Sequence, residues 1–208
     1  DAKRGKLFGR LIKEVTIAAR MGGGDPDSNP RLRHAVTAAQ KANMSKDTWE
    51  KAIKKGTGEL EGVTYEEITY GGYAPGGVAV LVEVVTDNKN RTTPEIRHIF
   101  SKCGGNMAET SAVTHLFERK GYFLIPGEDQ EEDNLMEIAL EAGAEDLQAA
   151  EENFEVTCDP SDFDSVFKVL EEKSIPTLEA QVSMIPMNTV EVAGKQAEQI
   201  MRMMDMFD

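Results

Sequence analysis

The sequence predicts an α+β, multi-domain fold: an N-terminal three-helix bundle plus two small α/β sandwich domains, one inserted in the other. Three observations predict it. Apolar residues recur at helical spacing through the first sixty residues, the spacing changes to period two from Tyr65, and helix and strand patterns then alternate to the end. The 208 residues divide accordingly into a basic helical domain (1–60), a split-βαβ-like α/β domain (61–126 with 187–208) and an acidic inserted α/β domain (127–186).

In "KLFGRLIKEVTIAAR", Leu7, Phe8, Leu11, Ile12, Val15, Ala18 and Ala19 share one face of a helix. At about 100° per residue, Lys6, Arg10, Lys13 and Arg20 fall in one stripe on the opposite face, and Glu14 alone offsets them. A second helix follows, with Asn29 as N-cap, Pro30 in its first turn, and Leu32, Ala35, Val36 and Ala39 as its buried edge. A third runs from Ser45 through Trp49, Ala52 and Ile53 to Gly56 as its stop, with Lys46, Lys51, Lys54 and Lys55 on its outer face and last turn.

The triple glycine in "GGGDPDSNPRLR" invites comparison with a phosphate-cradling loop. Such a loop follows a buried strand, leads into a helix N-terminus and keeps a lysine in reach. Here a helix precedes Gly22–Gly24, Asp25 and Asp27 follow, and no G-K-[ST] is present. The glycines read as a helix stop and "DPDSNP" as the turn that caps the next helix.

"TYEEITYGGY" and "GVAVLVEVVTD" read as strands joined across Ala74–Gly77. A helix over 92–103 starts at a Thr92/Glu95 capping box or at Thr93–Pro94, with Ile96, Ile99, Phe100 and Cys103 inward and Arg97, His98 and Lys102 outward. "SAVTHLFER" and "GYFLI" read as a hairpin across Lys120–Gly121. Strand, helix and hairpin then make βαββ; the last helix, with Ile200, Met203, Met204 and Phe207 on one side, supplies a further α, and the closing strand is expected beyond Asp208. The inserted block gives a helix ended by Gly143, the strand "NFEVTCD", a helix from Ser161 to Lys173 and the strand "LEAQVSMI".

The residues offer no catalytic constellation. Asp87, Asn88, Asn90 and Arg91 crowd one loop, but polar turn chemistry beside a helix cap accounts for them. No nucleophile–base pair is visible, and Cys103 and Cys158 form no metal-ligand spacing with His34, His98 or His115. "KGYFLI" echoes the RNA-stacking strand of RNA-recognition domains, with Phe123 where that pattern carries a small residue. The sequence therefore predicts no enzyme, no cofactor and no metal. With no apolar membrane-length run, no signal peptide and two thiols, the expected setting is the cytoplasm, away from membranes. The first residues, "DAKRGKLFGR", lack an initiating Met, and the natural start is expected further upstream.

Charge is the informative quantity. The net charge is -14, yet residues 1–60 carry 13 Lys+Arg against 7 acids, while residues 61–208 carry 10 against 30. Fields fade over about 8 Å at physiological salt, so an approaching phosphate senses the local +6, not the average. The expected nucleic-acid contacts are Lys3, Arg4, Lys6, Arg10, Lys13, Arg20, Arg31, Arg33, Lys46, Lys51, Lys54 and Lys55, with Arg91, Arg97 and Lys102 as secondary candidates. The acidic block is either a solvated surface or a docking face for a protein partner.

The stretches "GGGDPDSNPRLR", "YGGYAPGGVAVLVE", "TDNKNRT", "EIRHIFSKCGGN" and "EAGAED" resemble the YebC/PmpR family, in order and over essentially the whole chain. That resemblance implies a helical N-terminal domain and two α/β domains, one inserted in the other. Members are named transcriptional regulators, with mitochondrial relatives that activate translation, and no family catalytic residues exist to carry over. It also implies a further basic stretch ahead of Lys3 and a strand after Asp208. Two functions are therefore expected: a DNA-binding transcriptional regulator, or a ribosome- and RNA-associated translation factor using the same helices on ribosomal or messenger RNA.

Overall fold

The computed structural model describes residues 2–208, in two units: unit 1 runs to Thr110 and resumes from Val192, and unit 2 is Ser111–Glu191. In unit 1 the helical opening forms as its periodicity dictates, with α1 (Ala2–Gly22), α2 (Pro30–Lys41) and α3 (Lys46–Thr57). Val15, Ala18, Ala19, Leu32, Ala35, Val36 and Ala52 close a core margined by Ile12, Trp49 and Ile53. Small residues at these positions let the helix axes approach. α3 passes its expected stop at Gly56 and ends at Gly58, whose φ of +84° suits a residue without Cβ. Gly56 has another role: a Cβ there would lie 2.3 Å from the Thr16 carbonyl and 2.9 Å from the Ala19 Cβ, so it is the contact point of α1 and α3.

The glycine-rich joint is built around Asn29, which is 5 % exposed. Its side-chain amide donates to the carbonyls of Ala18 and Gly23, each at 2.8 Å, and its oxygen accepts from the Leu32 N–H at 3.2 Å. One side chain thus closes α1 and caps α2, and Gly23, at φ +92°, makes the turn between them. Asn29→Ala is expected to cost about 2–3 kcal/mol, the loss of a cap plus two buried carbonyls left without their donor. Chemical denaturation followed by circular dichroism checks this.

The first sheet begins with β1 (Glu66–Ala74) and β2 (Val78–Thr86), an antiparallel hairpin around a short 3-10 turn at Pro75–Gly77. After α4 (Lys89–Lys102), the short β3 (Asn106–Ala108) returns to the other edge of β1, giving the order β2-β1-β3. α4 starts three residues before the expected Thr92, because the Asn88 side chain caps it by accepting from the Arg91 N–H at 3.1 Å. The Thr92 hydroxyl is instead buried against that of Thr86, at 2.7 Å. The terminal helix (Gly194–Phe207) packs with α4 over Tyr70, Ile96, Phe100 and Cys103. Its buried stripe runs through Ile200, Met203, Met206 and Phe207, so Met204, expected inside, is 61 % exposed.

Unit 2 corrects the expected hairpin. Ser111–Thr114 is a short helix, α5, and Phe117–Pro126 is one continuous strand, β4, which pairs with a strand on each side. Gly121 is not a turn: a Cβ there would lie 2.4 Å from the Cys158 sulfur, so the glycine permits close packing inside a central strand. There follow α6 (Glu132–Ala142), β5 (Asp146–Ala150), β6 (Asn153–Cys158), α7 (Phe163–Glu172) and β7 (Glu179–Pro186), with the Gly194–Phe207 helix completing the chain as α8. Sheet order is β5-β6-β4-β7, all antiparallel. From β4 to β7 this is a complete βαββαβ, the split-βαβ arrangement expected of the other α/β domain. The expected boundaries at 126 and 187 thus move to Thr110 and Glu191, because β4 belongs to the second sheet. Helices α6 and α7 both cover the face bearing Phe123, Ile125 and Val156, and Leu135, Ala139, Val166 and Leu170 fill the space between.

Candidate nucleic-acid interface

Every basic residue singled out from the sequence lies in unit 1, but the fold sorts them into distinct groups. On the first half of α1, Lys3, Arg4, Lys6, Arg10 and Lys13 are exposed. Lys3, Lys6 and Lys13 enter no ion pair among the described residues, and the Arg4 guanidinium sits over the Phe8 ring at 5.1 Å. The stripe does not continue to Arg20. Residues 15–19 are buried in succession, and Ile17, which at about 100° per residue falls within the basic stripe, is 2 % exposed. Past this block the Arg20 guanidinium donates to the Tyr65 carbonyl.

Two arginines are built into the architecture. Arg31 donates from Nε to Glu14 Oε1 at 2.8 Å and from a terminal nitrogen to Glu14 Oε2 at 3.2 Å, a bidentate pair, and also reaches both carboxylate oxygens of Glu67. The Glu14 bonds hold its guanidinium above the ordinary range, burial opposes them, and Glu67 adds to the rise. Arg31 therefore ties α1 and α2 to β1. Arg33 donates to the carbonyls of Pro26 at 3.1 Å and Asp27 at 3.4 Å, and so fixes the turn ahead of its own helix. Both guanidiniums therefore already have partners within the fold.

Arg10 donates to Asp208 Oδ1 at 2.7 Å. That bond, then the Arg10 charge, and last the charge of Lys6, hold the Asp208 carboxyl below the usual carboxylate range against a small burial effect. On α3, Lys46 pairs with Glu50 at 3.6 Å and Lys51 with Asp47 at 2.8 Å, both one turn apart and exposed, pairs that cost little to break. Lys54 and Lys55 close α3 exposed, with no ion pair among the described residues. On α4, Arg91 pairs with Asp87 at 3.0 Å, while Arg97 and Lys102 stand exposed on the outer side.

The segment after α3 was silent in the sequence. It folds back over the α1–α3 crossing and borders an open recess of about 370 Å³ whose lining includes Arg20 and Lys55. No periodicity marks this; the only signal was the glycine spacing Gly56, Gly58, Gly62. Elsewhere, Cys103 and Cys158 are buried thiols, and burial first, then Asp162, Glu145 and Asp159, push Cys158 up to about 11. A thiol so placed is a poor nucleophile at neutral pH.

Comparison with known proteins agrees along the whole length. The family model described as "TACO1/YebC protein N-terminal domain" matches residues 1–59, and "TACO1/YebC second and third domain" matches residues 65–208. A "Probable transcriptional regulatory protein" of Desulfatibacillum aliphaticivorans is 60% identical over 208 residues, all of this chain and 84% of the relative. A protein of the same description from Geobacter sulfurreducens is 54% identical over 205 residues, 99% of this chain and 83% of the relative. Among solved structures, the crystal structure of the conserved hypothetical protein Aq1575 from Aquifex aeolicus superposes with a TM-score of 0.91 at 47% identity, covering 100% of this chain and 86% of that one.

Proposed function

Since the chain belongs to the TACO1/YebC family, we propose that it is a non-enzymatic regulator of gene expression, which binds duplex DNA through the basic helices of unit 1 and regulates transcription. One observation carries the reading. Lys3, Lys6 and Lys13 on α1, with Lys54 and Lys55 on α3, are exposed and without an ion pair among the described residues, on the one stretch where 13 bases meet 7 acids. Such cations gain affinity by releasing the counterions condensed on a phosphate chain, and they position the protein without reading bases. The names of the relatives support the regulatory part of the proposal. The cytoplasm is the proposed setting, in keeping with two unpaired thiols and with no helix, among the described residues, long and apolar enough to cross a membrane.

The test is a double reversal, Lys6→Glu with Lys13→Glu, leaving Arg10 to its partner Asp208. Binding should weaken on every sequence tried, and the plot of log affinity against log salt should flatten by about one unit per lost contact. An unchanged slope in a variant whose circular dichroism is native overturns the footprint.

A ribosome- or RNA-associated translation factor is the second reading. It is favoured by one feature of the helices: α1 is buried all round at 15–19, which stops its exposed basic row at Lys13, and α2 commits Arg31 and Arg33 internally, so α2 offers no such row to a major groove. A reader of backbone and shape needs no such row. Salt-stepped lysate fractionation separates the two. Co-sedimentation with ribosomes after DNA digestion supports translation; retention on promoter duplexes without ribosomes supports transcription. In either case the acidic unit 2, with 20 acids against 4 bases, is proposed to face solvent or a protein partner instead of the phosphates.

A further inference from the structure

The recess over the α1–α3 crossing has a chemistry of its own. Its lining is mostly polar and lies over the buried side chains of Ile17 and Thr16, 2 % and 4 % exposed. Two cations line it, and neither has a carboxylate partner among the described residues. One is tied to the backbone and the other lies along it. One terminal nitrogen of Arg20 donates to the Tyr65 carbonyl, which anchors the guanidinium and leaves its other N–H groups for a ligand. The aliphatic stem of Lys55 runs beneath Gly62, where a Cβ would stand 3.2–3.3 Å from three of its carbons. The anchored guanidinium loses little entropy on binding, and the like charges of the two side chains call for an anion between them.

We propose that this recess is a phosphate-binding notch, in which Arg20 and Lys55 grip a single phosphate group. A guanidinium fork beside an ammonium suits a tetrahedral anion with several acceptor oxygens. The volume of about 370 Å³ admits a phosphate together with the sugar or ester attached to it. Glu61 also lines the recess and works against the anion; it lowers the affinity for a lone phosphate, so the grip depends on the rest of the ligand. The phosphate belongs either to a nucleic-acid backbone or to a free phosphate monoester. The notch deepens the nucleic-acid reading above and rests on it in the first case alone.

The test uses the full chain, isotope-labelled, in amide NMR titrations. Inorganic phosphate should shift the amides of Gly58, Gly62 and Thr64 along saturable curves. Lys55→Gln should weaken that binding about tenfold, Lys55→Arg should restore most of it, and Glu61→Gln should tighten it. The Lys6→Glu, Lys13→Glu variant should leave the phosphate titration unchanged. Shifts that never saturate, that spread evenly over all lysine-bearing helices, or that survive Lys55→Gln overturn the notch. The second arm repeats the titration with a short duplex and with the same duplex carrying uncharged methylphosphonate links. A loss of duplex affinity in Lys55→Gln supports a backbone phosphate; saturation by phosphate with duplex binding unaffected supports the monoester. Duplex binding that depends on Lys6 and Lys13 beside a silent phosphate titration overturns the notch and leaves the nucleic-acid reading standing.

Discussion

Alanine at Gly56 should lower the stability of unit 1 by about 2–3 kcal/mol, the opposite of what the same change does in an ordinary helix. Inside an exposed helix, Gly→Ala gains up to about 1 kcal/mol by restricting the unfolded chain. At Gly56 the new methyl would meet the Thr16 carbonyl at 2.3 Å and the Ala19 Cβ at 2.9 Å. The first of these is backbone, held in α1, and cannot swing away as a side-chain tip does. Relief requires α3 to move off α1, which opens the core around Ala18, Ala19 and Ala52. Gly5→Ala on α1 is the internal control, since nothing lies within 4 Å of the position of its Cβ, and it should be neutral or stabilising. Urea midpoints for the two variants decide the matter; a neutral Gly56→Ala contradicts the close crossing. The Gly56→Ala variant should also lose phosphate binding, because the recess is bounded by the same crossing.

Gly56 shows what a single sequence reveals and what it conceals. The helical period of residues 7–19 located α1, though its fully buried residues are the run 15–19 and Leu7, expected inside, is 45 % exposed; Asn29 with Pro30 marked the start of α2 to the residue. Those signals are local: a cap and a stripe are written in neighbouring residues. Gly56 and Gly121 looked like a stop and a turn, because a glycine has the same appearance whether it supplies a positive φ or makes room for another chain. Which it does depends on a partner far along the sequence, Thr16 in one case and Cys158 in the other. The same blindness placed the boundary of the inserted unit at 126, since nothing within Phe117–Pro126 tells which sheet the strand joins.

The site divides along the same line. Its charge asymmetry was legible, as counting requires no geometry. What the counting could not show was which cations already had partners. Arg31 and Arg33 differ little from Lys54 and Lys55 on paper, yet Arg31 is clamped by Glu14 and by Glu67, 36 residues away, while Arg33 holds the turn. Arg20 lay on the right side of the helical wheel, but a wheel treats a helix as if it stood alone, and the segment reaching Tyr65 covers α1 at that depth. The exposed candidate cations without an ion pair among the described residues are thus found on the first half of α1, at the end of α3 and on the outer side of α4, and the recess arises wholly from the fold-back.

Phe123→Ala should be the most damaging substitution in unit 2, at about 3–5 kcal/mol. The ring is 0 % exposed, lies stacked on Phe163 with centroids 4.8 Å apart and planes 10° from parallel, and has Phe167 at 6.5 Å. β4 is paired on both edges and α6 and α7 are fixed over the sheet, so little can collapse into the void. Hydrogen exchange should speed up through β4, β6 and α7, while amides of α1, α2 and α3 keep their protection, since Phe123 belongs to a core that shares no residue with theirs. The variant also tests the division of labour. With the proposed phosphate contacts all in unit 1, oligonucleotide affinity and its salt slope should survive the loss of unit 2's packing. A parallel fall in both would mean that unit 2 takes part in binding, and the cations of α1 and α3 would then be insufficient by themselves.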